Sequence, residues 1–205
     1  MLATLHDQLP AVVRAATMTT TPWAYAYLPE TLPAGVAPGL ARTFDRFALT
    51  RCEQTDQDKC YRFGTAALDE GDVALPTEVW QSFVDALSGA AYRDAMSELT
   101  GVPLAGTRRT LSVWEYDTGD WLAPHVDKED KLVTQIFYLT ESWRDGDAGR
   151  LLVLATADPS SAVAALPPRL GASAILVRSD SSWHAVEKPA VSGTKRRSLT
   201  VTFWR

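Results

Sequence analysis

The chain has 205 residues, 46% of them hydrophobic and 22% charged, which suits one soluble domain with a real core and falls short of two full domains. A formal charge of -5 and a pI near 5.2, with Lys195-Arg196-Arg197 as the only basic run, argue against a nucleic-acid-binding surface. The first seven residues lack the basic and apolar regions of a signal peptide and no window reaches membrane-spanning length, so the sequence predicts a cytoplasmic protein with no membrane partner.

In chain order, residues 1–20 predict a short helix with Leu2, Leu5, Leu9, Val12, Val13 and Ala16 on one face, broken or restarted at Pro10. His6 lies there among polar neighbours and reads as a solvated histidine. Residues 23–28 alternate aromatic and small side chains, as a half-buried strand does. After the Pro/Gly-rich stretch 33–38 a helix is expected over 39–47, then two strands, 47–52 and 59–63, joined by the polar loop 53–58. This hairpin is a candidate lid, whose extent within 47–75 the sequence leaves open, with Cys52 and Cys60 as reduced thiols near the strand pair. A turn at 69–72 leads to Thr77, an expected cap for a helix carrying Val79, Trp80, Phe83, Val84 and Leu87. Gly89 interrupts it, and a second helix should run from Ala90 to Thr100 with Tyr92, Met96 and Leu99 inward and Gly101 as its stop.

From Arg108 the texture changes to β-branched and aromatic runs at 110–116, 132–139, 150–155, 172–178 and 198–204, separated by Gly, Asp, Ser and Pro. Strands without helical pattern between them imply an antiparallel sandwich or barrel, and hence an α+β fold. We read residues 1–205 as one domain, in which 1–107 support a β-rich half at 108–205.

Within that half, Trp121-Leu-Ala-Pro-His-Val-Asp127 contains a His-x-Asp step. In an extended strand His125 and Asp127 leave the same face and can reach one ion, while Val126 points into packing. His184 is the remaining histidine apart from His6, and it is expected at the end of the apolar strand around 174–177. Two imidazoles and a carboxylate occupy one face of an octahedron and leave the other open, the arrangement of non-haem iron(II) oxygenases. Zinc accepts the same ligands and is the competing metal. In the last strand, alternation puts Arg196 and Ser198 on one face, where guanidinium and hydroxyl can grip a carboxylate, and Arg197 on the other, where it reads as a surface arginine.

The segments His125-Val-Asp127, Thr134–Trp143, Gly149–Leu154, Ser179–His184 and Arg196–Trp204 together resemble the catalytic half of the 2-oxoglutarate and iron(II)-dependent dioxygenases, in the prolyl-4-hydroxylase-like branch. The resemblance covers Arg108 to the end. It implies a double-stranded β-helix (jelly-roll) core with N-terminal flanking helices, iron(II) on His125, Asp127 and His184, and 2-oxoglutarate and dioxygen as co-substrates. It further implies that Arg196 pairs with the distal carboxylate of 2-oxoglutarate, that Tyr138 hydrogen-bonds the same group, and that Tyr116 is a pocket tyrosine. The sequence departs from the family pattern in the short loop Lys128–Lys131 and in Ala148-Gly149, where a glycine pair is common. A carboxylate at 127 argues against halogenation, since halogenating members carry a small residue there.

The implied activity is oxidation, foremost hydroxylation, of a small molecule. A prolyl or peptidyl target, or the same site used for epimerisation, ring closure or desaturation, are the alternatives, and a non-catalytic metal-binding sandwich is a third class. Trp114, Trp121 and Trp183 flank the ligands in sequence as candidate pocket walls, and Arg51 and Arg62 on the hairpin are candidate contacts for a substrate carboxylate.

Overall fold

Strand alternation divides the second half of the chain into two apolar faces, and the architecture follows from burying both. The computed structural model describes residues 4–55, 60–69, 74–190 and 193–205. Parts of the predicted loop 53–58 and most of the turn 69–72 lie outside them.

Among the described residues the first half supplies four α-helices: α1 (Leu5–Ala15), α2 (Ala37–Arg42), α3 (Glu78–Ser88) and α4 (Ala90–Thr100). Helix α1 starts and stops inside its predicted range and runs unbroken through Pro10, which is buried with Leu9 and Val13. Its packing against α3 and α4, with an Arg14–Glu98 ion pair at 2.6 Å, outweighs the one backbone hydrogen bond that proline removes. The helix expected over 39–47 is instead α2 followed by a single 3-10 turn at Phe44–Arg46. Thr77 occupies the N-cap of α3, yet its hydroxyl is buried without a hydrogen-bond partner, so it caps by backbone position only. Gly89 separates α3 from α4, and Gly101 ends α4 with φ 70°. His6 is exposed, and no described helix is long and apolar enough to cross a membrane.

The strands are β1 (Tyr25–Leu28), β2 (Thr50–Gln54), β3 (Tyr61–Ala67), β4 (Arg108–Tyr116), β5 (Trp121–His125), β6 (Lys131–Tyr138), β7 (Leu151–Leu154), β8 (Ala162–Leu166), β9 (Ser173–Val177), β10 (His184–Val186) and β11 (Arg196–Trp204). All pair antiparallel in one sheet ordered β1-β9-β6-β11-β4-β3-β5-β10-β7-β8, with β2 on β3. The result is the double-stranded β-helix. The sheet curls until its two ends meet through side chains: the Trp23 indole donates to the Leu154 carbonyl at 3.0 Å and the Tyr27 hydroxyl to the Pro167 carbonyl at 2.9 Å. Strand β8 and the separate short strand β10 are not expected from sequence. β10, with three residues, is too brief to show a period of two and forms on the ladders of β5 and β7, whereas β8 is a small-residue strand that pairs with β7 alone.

Period two then sorts the side chains. Leu199, Val201 and Phe203 of β11 and Val133 and Phe137 of β6 join Trp80, Phe83, Tyr92 and Met96 in a core beneath the helices. The intervening residues Arg196, Ser198 and Thr200 of β11 and Thr134 and Ile136 of β6 face the barrel interior. Through the helix-side core runs a buried polar chain, Tyr92 hydroxyl to Gln135 at 2.6 Å and Gln135 to Ser173 at 2.9 Å, which satisfies three groups that would be costly alone. The candidate-lid hairpin is stitched into this sheet, since β3 pairs with β4 and β5. Both cysteines are half-buried thiols.

One loop carries strain. Ala148 stands at φ 57°, ψ -150°, a region that side chains avoid, and Gly149 follows at φ 74°. A Cβ on Gly149 would lie 3.7 Å from Arg196 carbons, so this loop packs directly on the barrel interior. Relieving the strain at Ala148 is worth about 1–3 kcal/mol, partly offset by the greater unfolded-chain entropy of glycine. Ala148→Gly is therefore expected to raise the melting temperature by about 2–4 °C in scanning calorimetry, corresponding to a net gain of about 1 kcal/mol. A fall in melting temperature would show that Ala148 is not strained.

Candidate metal centre and cavity

His125 is the last residue of β5 and His184 the first of β10, and the two are direct partners across that strand pair. Their rings lie 4.2 Å apart between centroids. His184 thus opens its own strand rather than closing β9, because Arg178–Trp183 turn the chain from one sheet half to the other. Asp127 lies two residues beyond the end of β5, so strand alternation accounts for His125 alone. What holds the carboxylate is Lys131, four residues on, whose ammonium donates to Asp127 Oδ1 at 2.7 Å. The outcome is nevertheless convergence: one ligand atom from each of His125, Asp127 and His184 lies within 4.8 Å of the others.

The electrostatics suit a divalent cation. The Nδ1 of His125 faces the Ala123 carbonyl at 3.0 Å and that of His184 the Ser182 carbonyl at 2.9 Å. A carbonyl only accepts, so in each ring Nδ1 carries a proton and Nε2 is the nitrogen turned toward the position an ion would take. Burial, aided by the nearby His125, pushes the His184 pKa down to about 3, which keeps it neutral. For Asp127 burial alone would raise the pKa, but His125 at 3.8 Å and the Lys131 charge outweigh it and hold the carboxyl well below its ordinary value.

The triad opens into a cavity of about 530 Å³, counting its solvent-filled mouth, walled by Leu122, Ile136, Leu151, Leu176 and Val186. Arg196 lies in its lining, only 3% exposed, between the rings of Tyr116 at 4.9 Å and Tyr138 at 5.2 Å. Cross-strand register explains the grouping, since Arg196 is paired with Tyr116, and Ser198 with both Trp114 and Tyr138. The Arg196 Nε and the Tyr138 hydroxyl are buried without a hydrogen-bond partner. Burial raises the pKa of each tyrosine to about 12, against the pull of the Arg196 charge, so both stay protonated. Buried orphan donors beside an arginine are costly unless an anion completes them, and a carboxylate fits that requirement.

Other sequence expectations are corrected. Arg51 and Arg62 both grip Asp120 at 2.8 Å, so a carboxylate of the protein itself uses the guanidiniums expected to meet a substrate. Arg197 is a half-buried partner of Glu115 at 3.0 Å and of Asp45, lying over the Phe44 ring, rather than a surface arginine. Of the three tryptophans Trp114 lines the cavity; Trp121 lies against the cations of Arg62 and Lys188, and Trp183 is half-buried in the turn before β10. Lys131, Thr134 and Thr200 also line the cavity, and sequence reasoning misses them. The available signal is the i, i+4 spacing of Asp127 and Lys131 across a short loop, which only the chain reversal at residues 129–130 turns into contact.

An antiparallel double-stranded β-helix carries two histidines and an aspartate at its mouth and an arginine inside, a donor set that suits non-haem iron(II). Comparison with known proteins agrees: residues 111–205 match the family model of the 2OG-Fe(II) oxygenase superfamily. A prolyl-4-hydroxylase from Pseudomonas putida has the same fold, with a TM-score of 0.71, 21% identity, and coverage of 97% of this chain and 99% of that one. A prolyl hydroxylase from Trichoplax adhaerens, solved with a hypoxia-inducible-factor peptide fragment, gives a TM-score of 0.64, 14% identity, and 98% and 89% coverage. The α-ketoglutarate-dependent epimerase SnoN of nogalamycin biosynthesis gives 0.61, 15%, and 97% and 80%. No curated protein sequence matches the chain. In fold the chain is similar to prolyl-4-hydroxylases, and residues 111–205 carry the 2OG-Fe(II) oxygenase match.

Proposed function

We propose that this enzyme couples decarboxylation of 2-oxoglutarate to hydroxylation of a small molecule, with His125, Asp127 and His184 holding iron(II). The observation that carries the reading is the pair of buried orphan donors, Arg196 Nε and the Tyr138 hydroxyl, beside a cavity that also contains the triad. Arg196 supplies the charge and the fork geometry for the distal carboxylate of 2-oxoglutarate, and Tyr138 and Ser198 add hydroxyl donors. Tyr116 packs its ring on the guanidinium and keeps it oriented. Iron with its co-substrates supplies the oxidising power to break a substrate C–H bond, and succinate and carbon dioxide are the co-products. The protein's part is to fix the three ligands, keep the His184 imidazole neutral, orient the co-substrate and wall much of the cavity with hydrocarbon.

A compact cavity walled by Leu122, Leu151, Leu176 and Val186 favours a small substrate. Hydroxylation of a prolyl residue is the second reading, favoured by the fold similarity to a prolyl-4-hydroxylase over 99% of that chain. Anaerobic addition of iron(II) and then 2-oxoglutarate is expected to produce the weak visible charge-transfer band of their chelate. Failure of the band, together with no substrate-stimulated succinate release, would overturn the function. Mass analysis of products separates the outcomes: a gain of one oxygen marks hydroxylation, loss of two hydrogens desaturation or ring closure, and an unchanged mass epimerisation.

A further inference from the structure

The cavity lining contains three charged side chains: Asp127, Lys131 and Arg196. One carboxylate against two cations leaves the lining with one positive charge in excess. Divalent iron and dianionic 2-oxoglutarate cancel each other, so the loaded site of the proposed function keeps that excess. A neutral substrate would displace solvent from that charge without replacing its solvation, whereas an anionic one would pair with it.

The excess has a location. Arg196 is committed to the co-substrate end, whereas Lys131 stands at the metal end as the first residue of β6. Its ammonium has three N–H groups. One lies on Asp127 Oδ1 at 2.7 Å, and two remain for a ligand. The ammonium also stands over an aromatic ring, Nζ lying 5.4 Å from the centre of Trp204, the residue paired with Lys131 across β6 and β11. Next along β6 comes Thr134, which lines the cavity and whose hydroxyl shares only a long 3.5 Å hydrogen bond with Thr202, while Thr200 of β11 adds a second lining residue with a hydroxyl. A cation and hydroxyl groups on one side, facing Leu122, Ile136, Leu151, Leu176 and Val186 on the other, describe a receptor for an acid with a small hydrocarbon body.

We propose that the prime substrate is a small carboxylic acid whose carboxylate is taken by Lys131, with Thr134 beside it, at the metal end of the cavity. The proposal rests on the oxygenase function proposed for this site and specifies its substrate class. Because the Lys131 ammonium touches a proposed iron ligand, the oxidised carbon lies within a few bonds of the acid group.

The test is direct binding, independent of turnover. The protein is loaded with manganese(II) and saturated with 2-oxoglutarate, and paramagnetic broadening of ligand proton signals is recorded for small aliphatic and cyclic carboxylic acids and for the primary amide of each. A charge-assisted contact to a partly buried ammonium is expected to favour acid over amide by about 10- to 100-fold in affinity. Lys131→Met is expected to remove that preference and Lys131→Arg to restore most of it, a pattern that simple damage to the fold would not produce. Equal broadening by acid and amide, or broadening by neither, overturns the proposal while leaving the oxygenase reading intact. Loss of the iron–2-oxoglutarate absorption band in the unmodified protein would instead strike at the oxygenase reading.

Discussion

Replacing Arg196 by alanine is expected to raise the 2-oxoglutarate concentration for half-maximal turnover by about 100-fold or more, and the iron concentration by no more than a few-fold. Losing a charge-assisted, two-point contact inside the protein costs about 3 kcal/mol, and each 1.4 kcal/mol is a factor of ten. Arg196 is almost fully buried with an unpaired Nε, so water does not offer the displaced carboxylate a substitute partner. Lysine in its place restores the charge without the fork and should recover only part of the loss. Separate steady-state titrations of 2-oxoglutarate and iron(II) check this. An equal rise in both requirements would make Arg196 a structural residue whose removal loosens the barrel, where it packs on Tyr116, Tyr138 and Gly149.

The second large effect is expected at His184. Its change to alanine removes one of three ligands and should weaken iron(II) binding by more than about 100-fold, above what losing a mere supporting partner of a ligand costs. The fold should survive, because the β10 backbone pairs with β5 and β7 whatever the side chain. Calorimetric titration with manganese(II), beside circular dichroism of the variant, separates lost binding from lost structure. Full turnover in the variant would remove His184 from the proposed centre.

How legible the site is in the chain differs residue by residue. His125 and His184 stand out because the sequence has three histidines and the other one sits on a polar helix start. Arg196 and Ser198 share a face by simple alternation in a nine-residue strand, a local rule that tertiary contacts do not disturb. Lys131 escapes a reading of the chain because its significance lies in a turn that brings it back onto Asp127, and charged residues beside turns are ordinarily solvated. Arg51, Arg62 and Arg197 mislead for the converse reason: their carboxylate partners, Asp120, Glu115 and Asp45, lie between 58 and 152 residues away along the chain. No local pattern reports such distances.

Periodicity and composition thus determined the α+β class, the helices around α3 and α4, the long strands β4, β6 and β11, and the residue types able to bind iron and a carboxylate. These follow from side-chain spacing on a regular backbone, information that lies within a few residues. Only the tertiary structure decided that β5 and β10 set His125 opposite His184, that Lys131 rather than the strand holds Asp127, and that two cations face one carboxylate within a shared cavity. Those outcomes depend on which strands pair and in which register, and pairing is selected by burial of the whole sheet rather than by any segment alone.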